Sequence, residues 1–328
     1  MEHERKNGSN SNTLSQESRR QFLKASAATV ALTSGVGVLP ALARPSSNSP
    51  KELYSISADG QDRVVSGEPE KRFKKSVKIG MVRIRGSLLE KMNLLKELGY
   101  DGIELNSPSQ LTVEEVTKAK EESDFPVHGV VDSVHWRQTL SDPDEKVRAK
   151  GVEGLTTAIK DSKAFGGTSV LLVPGVVNRK ATYKECWDRS TAEIKKVLPL
   201  AEELGIDILF ENVWNNFLTD PAETAKYIDQ FESERVGAYF DVGNAVKFSP
   251  PAEWVKILGT RIKKLDIKDW SKEAGFGAKI LDGDSDWPNV MKELRKIDYK
   301  GWATAEVAGG GKDRLKDIAD RMDRAFAL

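Results

Sequence analysis

The amino-acid sequence predicts an α/β protein whose fold is a (β/α)8 (TIM) barrel. From about residue 76 onward, eight short apolar runs alternate with amphipathic stretches of helical period. That alternation is typical of parallel strands joined by crossover helices. The eight units occupy about 250 residues, the usual length of such a barrel. No Gly-x-Gly-x-x-Gly turn follows the first run, so an open dinucleotide-binding sheet loses its best support.

The eight predicted strands are short runs rich in aliphatic and aromatic residues. They are VKIGMVRI (77–84), GIELNS (102–107), VHGVVD (127–132), SVLLVP (169–174), DILFEN (207–212), VGAYFDV (236–242), IKKLDIK (262–268) and GWATAEV (301–307). Helical patterns lie between and after them, at 87–100, 190–205, 287–297 and about 313–326. Several of these patterns end at a glycine, which closes helices readily. We therefore expect the barrel over residues 76–328.

Composition excludes several classes of function. Fifty Lys and Arg residues balance fifty Asp and Glu residues, so no net field would hold nucleic acid or an anionic membrane. Cys186 is the only cysteine, which excludes an intrachain disulfide framework and a cysteine zinc cage. A small molecule is the expected partner.

The first 43 residues have the pattern of a twin-arginine signal peptide. Arg19 and Arg20 precede Phe-Leu-Lys, a weakly apolar run follows, and Ala-Leu-Ala at 41–43 suits a signal peptidase. The pattern predicts export to the periplasm and no stable membrane insertion after cleavage. Residues 44–75 are rich in Ser, Pro, Gly and charge, and are expected to form a flexible linker or arm.

Four acids stand near the carboxyl ends of the last four predicted strands: Glu211, Asp241, Asp266 and Glu306. Active sites of barrel enzymes lie at that end. Four ionised carboxylates in a partly dry pocket repel one another unless a cation lies among them. Oxygen ligands favour a hard divalent ion, Mn²⁺ or Mg²⁺ with Ca²⁺ as a third candidate, over Zn²⁺. The alternative is that individual acids cap helices or pair with Lys and Arg.

Five motifs, in this order and spacing, extend the interpretation: FENV, FDVGN, IKKLDIKDW, LDGDSDWPNVMKEL and GWATAEV. On them the chain resembles the xylose isomerase-like family of sugar isomerases and epimerases, whose superfamily also contains metal-dependent abasic-site endonucleases. The resemblance covers residues 76–328. It implies a metal held by Glu, Asp, His and Glu on strands five to eight, and a homo-oligomer. By position, Glu211, Asp241 and Glu306 match three of these ligands, and the two glutamates also move the proton.

Two positions depart from the family pattern, and both replace a histidine. Asp266 stands at the strand-seven ligand position, and Asn244 stands three residues after Asp241. Asp keeps a ligand atom but adds negative charge, whereas Asn binds a hydroxyl but cannot act as a base near pH 7. A metal-free descendant of the family is the alternative.

Six residues are candidates for substrate binding: His128, His135, Trp136, Glu104, Asn244 and Lys268. His135 beside Trp136 suits a sugar, because an aromatic face packs on C–H bonds while a ring nitrogen meets a hydroxyl. Both histidines are expected on the same face as the acids, and Glu104 is expected at the end of strand two. Structural roles are the alternative for His128, His135 and Glu104, and Lys268 could instead pair with a carboxylate.

These residues predict a sugar isomerase or epimerase that abstracts a proton next to a carbonyl through a metal-bound enediolate. The same chemistry would serve a lyase that eliminates a substituent from a 3-keto-glycoside. A non-catalytic carbohydrate-binding barrel is a third hypothesis. A metal-dependent phosphodiesterase is disfavoured, because the sequence has three histidines and no basic groove.

Overall fold

The predicted barrel is present in the computed structural model, which describes residues 72–328. Its eight parallel strands are β1 (Phe73–Lys78), β2 (Gly102–Ser107), β3 (Val127–Asp132), β4 (Ser169–Leu172), β5 (Asp207–Glu211), β6 (Val236–Asp241), β7 (Ile262–Ile267) and β8 (Gly301–Ala305). Each strand is hydrogen-bonded to the next one in the chain, and β8 pairs with β1 to close the ring. The (β/α)8 fold class is therefore confirmed.

Every strand is followed by at least one helix. Within residues 72–328 the helices are α1 (Leu88–Glu97), α2 (Val113–Ser123), α3 (Glu145–Phe165), α4 (Tyr183–Leu204), α5 (Pro221–Asp229), α6 (Val242–Ala245), α7 (Pro251–Leu258), α8 (Trp287–Lys296) and α9 (Lys312–Phe326). Short 3-10 turns lie at Ile79–Met81 and Gly259–Arg261. None of the helices in this part of the chain is long and apolar enough to cross a membrane.

Local sequence signals set the ends of several helices. A capping box opens α1, α2 and α4: a Ser or Thr side chain accepts from a backbone N–H, and a Glu three residues on accepts in return. The pairs are Ser87 with Glu90, Thr112 with Glu115, and Thr182 with Glu185. Gly166 and Gly205 end α3 and α4 with φ of 80° and 68°, a left-handed conformation that glycine adopts without strain.

The first strand differs from its predicted range of 77–84. It covers Phe73–Lys78, and the chain then enters a 3-10 turn. The turn packs against the glycine-rich loop after β8, where a Cβ on Gly309 would lie only 2.1 Å from the carbonyl oxygen of Met81. The strand therefore ends six residues earlier than expected, and Lys78 stands at its carboxyl end.

The barrel interior has an apolar and a polar side. Val131, Leu171, Leu209 and Tyr239 pack together on the inner faces of β3, β4, β5 and β6. Buried polar residues come from the other strands: Ser76 of β1, Glu104 of β2, Lys264 of β7 and Thr304 of β8. The Tyr239 hydroxyl joins the two sides through a 2.7 Å hydrogen bond with the Thr304 hydroxyl. This mixed layer forms the floor beneath the carboxyl ends of the strands.

The predicted signal peptide at 1–43 and almost all of the predicted linker at 44–75 lie outside the described residues. Both stay predictions, as does the homo-oligomer. Phe73 already belongs to β1, so the barrel begins inside the range that the composition indicates as linker.

Candidate active site

Four acidic side chains converge at the carboxyl end of the barrel. Glu211 and Asp241 are the last residues of β5 and β6, Asp266 is the next-to-last residue of β7, and Glu306 directly follows β8. One carboxylate oxygen from each lies within 4.8 Å of the other three. The structure thus brings together all four residues that the sequence assigns to metal binding.

Two lysines lie among these acids. Lys78 Nζ donates to Asp266 Oδ2 at 2.9 Å and to Glu306 Oε1 at 2.5 Å. Lys268 Nζ lies 2.9 Å from Asp241 Oδ2 and donates to Glu306 Oε2 at 2.5 Å. Lys268 thus contacts two of the predicted ligands, and Lys78 is a site residue that the sequence interpretation missed. Three of the four acids, Asp241, Asp266 and Glu306, therefore pair with a lysine, as the alternative interpretation of these acids predicts.

Glu211 is the exception among the acids. Its side chain is 7% exposed, and no Lys or Arg within residues 72–328 forms an ion pair with it. It accepts a long 3.3 Å hydrogen bond from Asn244 Nδ2, which also donates to the Asn212 carbonyl oxygen at 2.9 Å. The Asn244 backbone N–H donates to Asp241 Oδ1 at 2.7 Å. Asn244, which is predicted to bind substrate, contacts two of the acids.

The donor set fits a hard divalent ion. All four candidate ligands are carboxylates, the type that Mg²⁺ and Mn²⁺ prefer. Within residues 72–328, Asp266 Oδ1 is buried and has no hydrogen-bond partner, and Asp241 Oδ2 faces Lys268 without a hydrogen bond of good geometry. Such buried oxygens are costly unless a cation or a donor satisfies them.

Burial and mutual repulsion shift the proton affinities of the cluster. Burial, reinforced by the charge of Glu306, raises the pKa of Glu211 to about 8. Burial also raises the pKa of Asp241 to about 6 and holds the pKa of Asp266 well above its usual value. Burial acts on Glu306 as well, but Lys78 and Lys268 outweigh it and lower the pKa of that carboxyl. The cluster is therefore short of positive charge.

A cleft of about 390 Å³ opens beside Glu211 and Glu306. His135 and Trp136 line it, as the sequence predicts for a sugar site. His135 Nδ1 accepts from the Val173 backbone N–H at 3.2 Å, so the proton of the neutral ring lies on Nε2. Burial lowers the pKa of His135 to about 3, which keeps the ring neutral. Trp136 is 53% exposed and meets the His135 ring edge-on, with centroids 5.6 Å apart.

Two residues predicted to contact the substrate, Glu104 and His128, do not line the cleft. Glu104 is the third residue of β2, is fully buried and does not line the cleft; Asn106, two residues further on, does. His128 is the second residue of β3 and lies at the amino end of the barrel. Its ring stacks on Trp302 at 4.5 Å, and its Nδ1 lies 2.9 Å from Lys264 Nζ. Both side chains are core residues because their strands continue for several residues beyond them.

Asp132 and Asn106 are site residues that the sequence interpretation missed. Each stands at or near the carboxyl end of its strand and lines the cleft. Burial raises the pKa of Asp132 to about 7. The strands 102–107 and 127–132 were predicted correctly. The observation that identified the four acids, a polar residue at the carboxyl end of a strand, therefore also applies to Asn106 on β2 and Asp132 on β3.

Asp269, three residues after Asp266, has a structural role. Its carboxylate accepts from Ser285 Oγ at 2.6 Å, Trp287 Nε1 at 2.8 Å and the Leu281 backbone N–H at 3.0 Å. These bonds tie the long loop after β7 to the start of α8. The acid is thereby fully used in shaping the loop beside the site.

Comparison with known proteins agrees with this architecture. The family model described as the xylose isomerase-like TIM barrel matches residues 92–325. The chain belongs to this family. Solved structures with the family's fold include the 3-keto-D-glucoside 4-epimerase of E. coli, with a TM-score of 0.67 and 16% identity over 78% of this chain and 100% of that one. Another is the D-allulose 3-epimerase of Methylomonas sp. in complex with D-allulose, with a TM-score of 0.62 and 20% identity over 78% and 94%. At these identities the likeness shows the fold.

The curated relatives match shorter stretches of this chain. An uncharacterised protein of Methanocaldococcus jannaschii is 26% identical over 198 residues, which are 56% of this chain and 67% of that protein. An inosose dehydratase of Bacillus cereus is 29% identical over 154 residues, 41% of this chain and 51% of the dehydratase. The chain thus matches about half the length of that enzyme.

Proposed function

We propose that the protein is a divalent-metal-dependent sugar isomerase or epimerase that abstracts a proton next to a carbonyl group. One observation carries the proposal: four carboxylates from four successive strands converge within 4.8 Å beside an open cleft. The family supports it, because structures that share this fold include epimerases acting on a 3-keto-D-glucoside and on D-allulose.

The ion would be held by the four converging acids. When bound, it supplies a Lewis acid that acidifies the C–H group beside a carbonyl and offsets the charge on the enediolate oxygens. The Lys268 ammonium contacts both Asp241 and Glu306 and would add a second positive charge beside the ion.

Glu211 is the proposed base. It lines the cleft, forms no ion pair within residues 72–328 and accepts a single long hydrogen bond. Burial raises its pKa to about 8, and a divalent ion held beside it would favour the ionised form that a base requires. Glu306 also lines the cleft but is held by two ammonium groups, which keep it in place and ionised. Return of the proton by Glu211 to the former carbonyl carbon gives isomerisation, whereas delivery of a proton to the original carbon from its opposite face gives epimerisation.

The cleft provides the sugar contacts. Trp136 offers an exposed aromatic face for C–H groups, and the Nε2–H of His135 offers a donor for a hydroxyl oxygen. The cleft's volume of about 390 Å³ is within the range of small-molecule sites. These features favour one sugar ring or one keto-sugar as the substrate.

A lyase is the second candidate, and the inosose dehydratase relative favours it. Elimination from a keto-sugar begins with the same proton abstraction by Glu211. The outcomes then differ, because a leaving group departs from the β-carbon before any proton returns. Product analysis separates the two: a released hydroxyl or aglycone indicates elimination, and an interconverted sugar with no release indicates isomerisation.

Glu211→Gln tests the proposal. We expect kcat on the best substrate of a keto-sugar panel to fall about 10²- to 10⁴-fold, the usual contribution of a general base. Chelation should abolish wild-type activity, and Mn²⁺ or Mg²⁺ should restore it. Glu193→Gln is the matched control: this glutamate is also buried but pairs with Arg148 between α4 and α3, away from the cleft. Full activity of Glu211→Gln, or of chelated enzyme, would overturn the proposal.

A further inference from the structure

The buried charges around the site do not balance. At the barrel mouth four carboxylates meet two ammonium groups, those of Lys78 and Lys268. The layer below adds one charge of each sign, since Glu104 and Lys264 are both buried. Five acids against three ammonium groups leave a net charge of −2 on these groups when all are ionised.

The other titratable groups that face the interior or the cleft tend towards their neutral forms: burial raises the pKa of Asp132, beside the four acids, to about 7. Burial lowers the pKa of both His128 and His135, so the two rings stay neutral. Tyr239 also keeps its proton, because burial raises the pKa of its hydroxyl. A net charge of −2 in a poorly solvated interior matches one divalent cation, whereas a trivalent ion would leave an excess positive charge.

Lys78 supplies one of the positive charges that bring the net charge to −2, the value that matches a divalent ion. Its side chain is 12% exposed and reaches across the barrel from β1 to Asp266, which is fully buried. The ammonium bonds one oxygen of Asp266 and leaves the other, Oδ1, without a partner. The pair therefore presents a free carboxylate oxygen while contributing no net charge.

We propose that Lys78 is a positioning residue that sets the ionic charge accepted by the site, by cancelling the charge of Asp266. The inference rests on the proposed metal dependence. Without Lys78, the count becomes five acids against two ammonium groups, a net charge of −3. Such a site should favour a trivalent ion, because each added unit of site charge acts on three charges instead of two.

Lys78→Met tests this. Binding of Ca²⁺ and Tb³⁺, which have similar radii and different charges, is measured by calorimetry on the purified protein, with Mn²⁺ as a second divalent ion. We expect the ratio of Tb³⁺ to Ca²⁺ affinity to rise at least about tenfold over wild type, an increase that one unit charge at a few ångströms readily produces. An unchanged ratio would overturn the inference.

Lys75→Met is the matched control. Lys75 is a buried lysine of the same strand, and its ammonium bonds Asp323 Oδ2 at 2.6 Å on the helix side of β1. Its removal should leave the Tb³⁺ to Ca²⁺ ratio at the wild-type value. A rise as large as that of Lys78→Met would assign the effect to general loss of a buried lysine and overturn the inference.

Two further variants test the role of Lys78 if Lys78→Met alone fails to fold. Asp266→Asn alone lowers the negative charge of the site and should weaken Ca²⁺ and Mn²⁺ binding at least about tenfold. Asp266→Asn with Lys78→Met restores the net charge of −2 and removes both partners of the buried pair, so divalent binding should recover. A double variant that binds no tighter than Asp266→Asn would overturn the inference.

The outcomes separate this inference from the proposed function. Wild-type protein that binds no divalent ion would overturn both. Wild-type protein that binds Mn²⁺, together with a Lys78→Met ratio like that of wild type, would overturn only the role of Lys78. The selectivity ratio requires no substrate and no catalytic assay, so it is independent of the reaction's identity.

Discussion

Lys264 of β7 and Lys268, which directly follows β7, lie towards opposite ends of the same barrel and have different surroundings. Lys264 is buried at the amino end, where its ammonium donates to the His128 carbonyl oxygen at 2.6 Å and lies beside the ring nitrogen. Lys268 is almost as deeply enclosed at the carboxyl end, but its neighbours are the carboxylates of Asp241 and Glu306.

The pKa values of these lysines therefore move in opposite directions. Burial lowers the pKa of Lys264 to about 8, and the charge of Glu104 offsets it only in part. Burial also acts on Lys268, but Asp241 and Glu306 outweigh it and raise the pKa of that ammonium. Burial alone does not mark a functional end of the barrel. The mouth is distinguished by its excess of carboxylates over ammonium groups and by an open cleft.

Replacement of these two lysines should give the largest difference in kcat between the two ends of the barrel. Lys268→Met removes a positive charge beside the proposed reacting centre, so we expect kcat to fall about 10²-fold or more. Lys264 belongs to the floor layer, contacts His128 and does not line the cleft, so Lys264→Met should lower kcat much less, by no more than about threefold. Steady-state kinetics on one substrate compares the two. Equal losses in both variants would mean that the two ends of the barrel are not functionally distinct.

The pH dependence of the free energy of unfolding should show the effect of burying the Lys264 ammonium. The unfolded chain keeps this ammonium protonated up to about pH 10.4, whereas the folded chain releases the proton near 8. Between these values the unfolded state binds more protons, so the free energy of unfolding rises with pH. The wild-type curve should therefore gain stability relative to Lys264→Met from pH 8 to 10.5. Urea unfolding across that range measures the difference, and parallel curves would contradict it.

Two tryptophans, one at each end of the barrel, should give smaller effects, on KM at one end and on stability at the other. Trp136→Ala removes the exposed face beside the cleft and should raise KM about three- to tenfold, with kcat little changed, since one aromatic contact contributes about 1 kcal/mol. Trp302→Ala removes the ring that stacks on His128 and should cost about 2 kcal/mol of stability while KM stays constant. A KM effect confined to Trp302→Ala would reverse the assignment of the two ends.

The sequence was sufficient for the fold and for the acid cluster. Strand and helix periods predict eight units, and a charged residue at the end of an apolar run is a strong local signal, as Glu211 illustrates. Depth within the barrel is harder to predict, because tilted and staggered strands place equivalent sequence positions at different heights. Glu104 and His128 are a simpler case, because the predicted strands 102–107 and 127–132 already place these residues well before the strand ends.

Lys78 could not be located from its own segment. The run VKIGMVRI has the apolar character of one continuous strand, and its lysine looks like an edge residue. Its true end depends on a backbone contact between Met81 and Gly309, which are more than two hundred residues apart in the chain. Non-local contacts of this kind leave no signal in a local pattern. The family resemblance supplied the ligands of strands five, six and eight but gave no role to the first strand.

The ion pair between Lys78 and Glu306 joins the first strand of the barrel to the segment that directly follows the last one. No fragment that lacks either terminal strand can contain this pair. The ribosome must therefore synthesise the chain past β8 before this pair can form. Formation of the pair would then report ring closure during refolding, with fragments that lack β1 as silent controls.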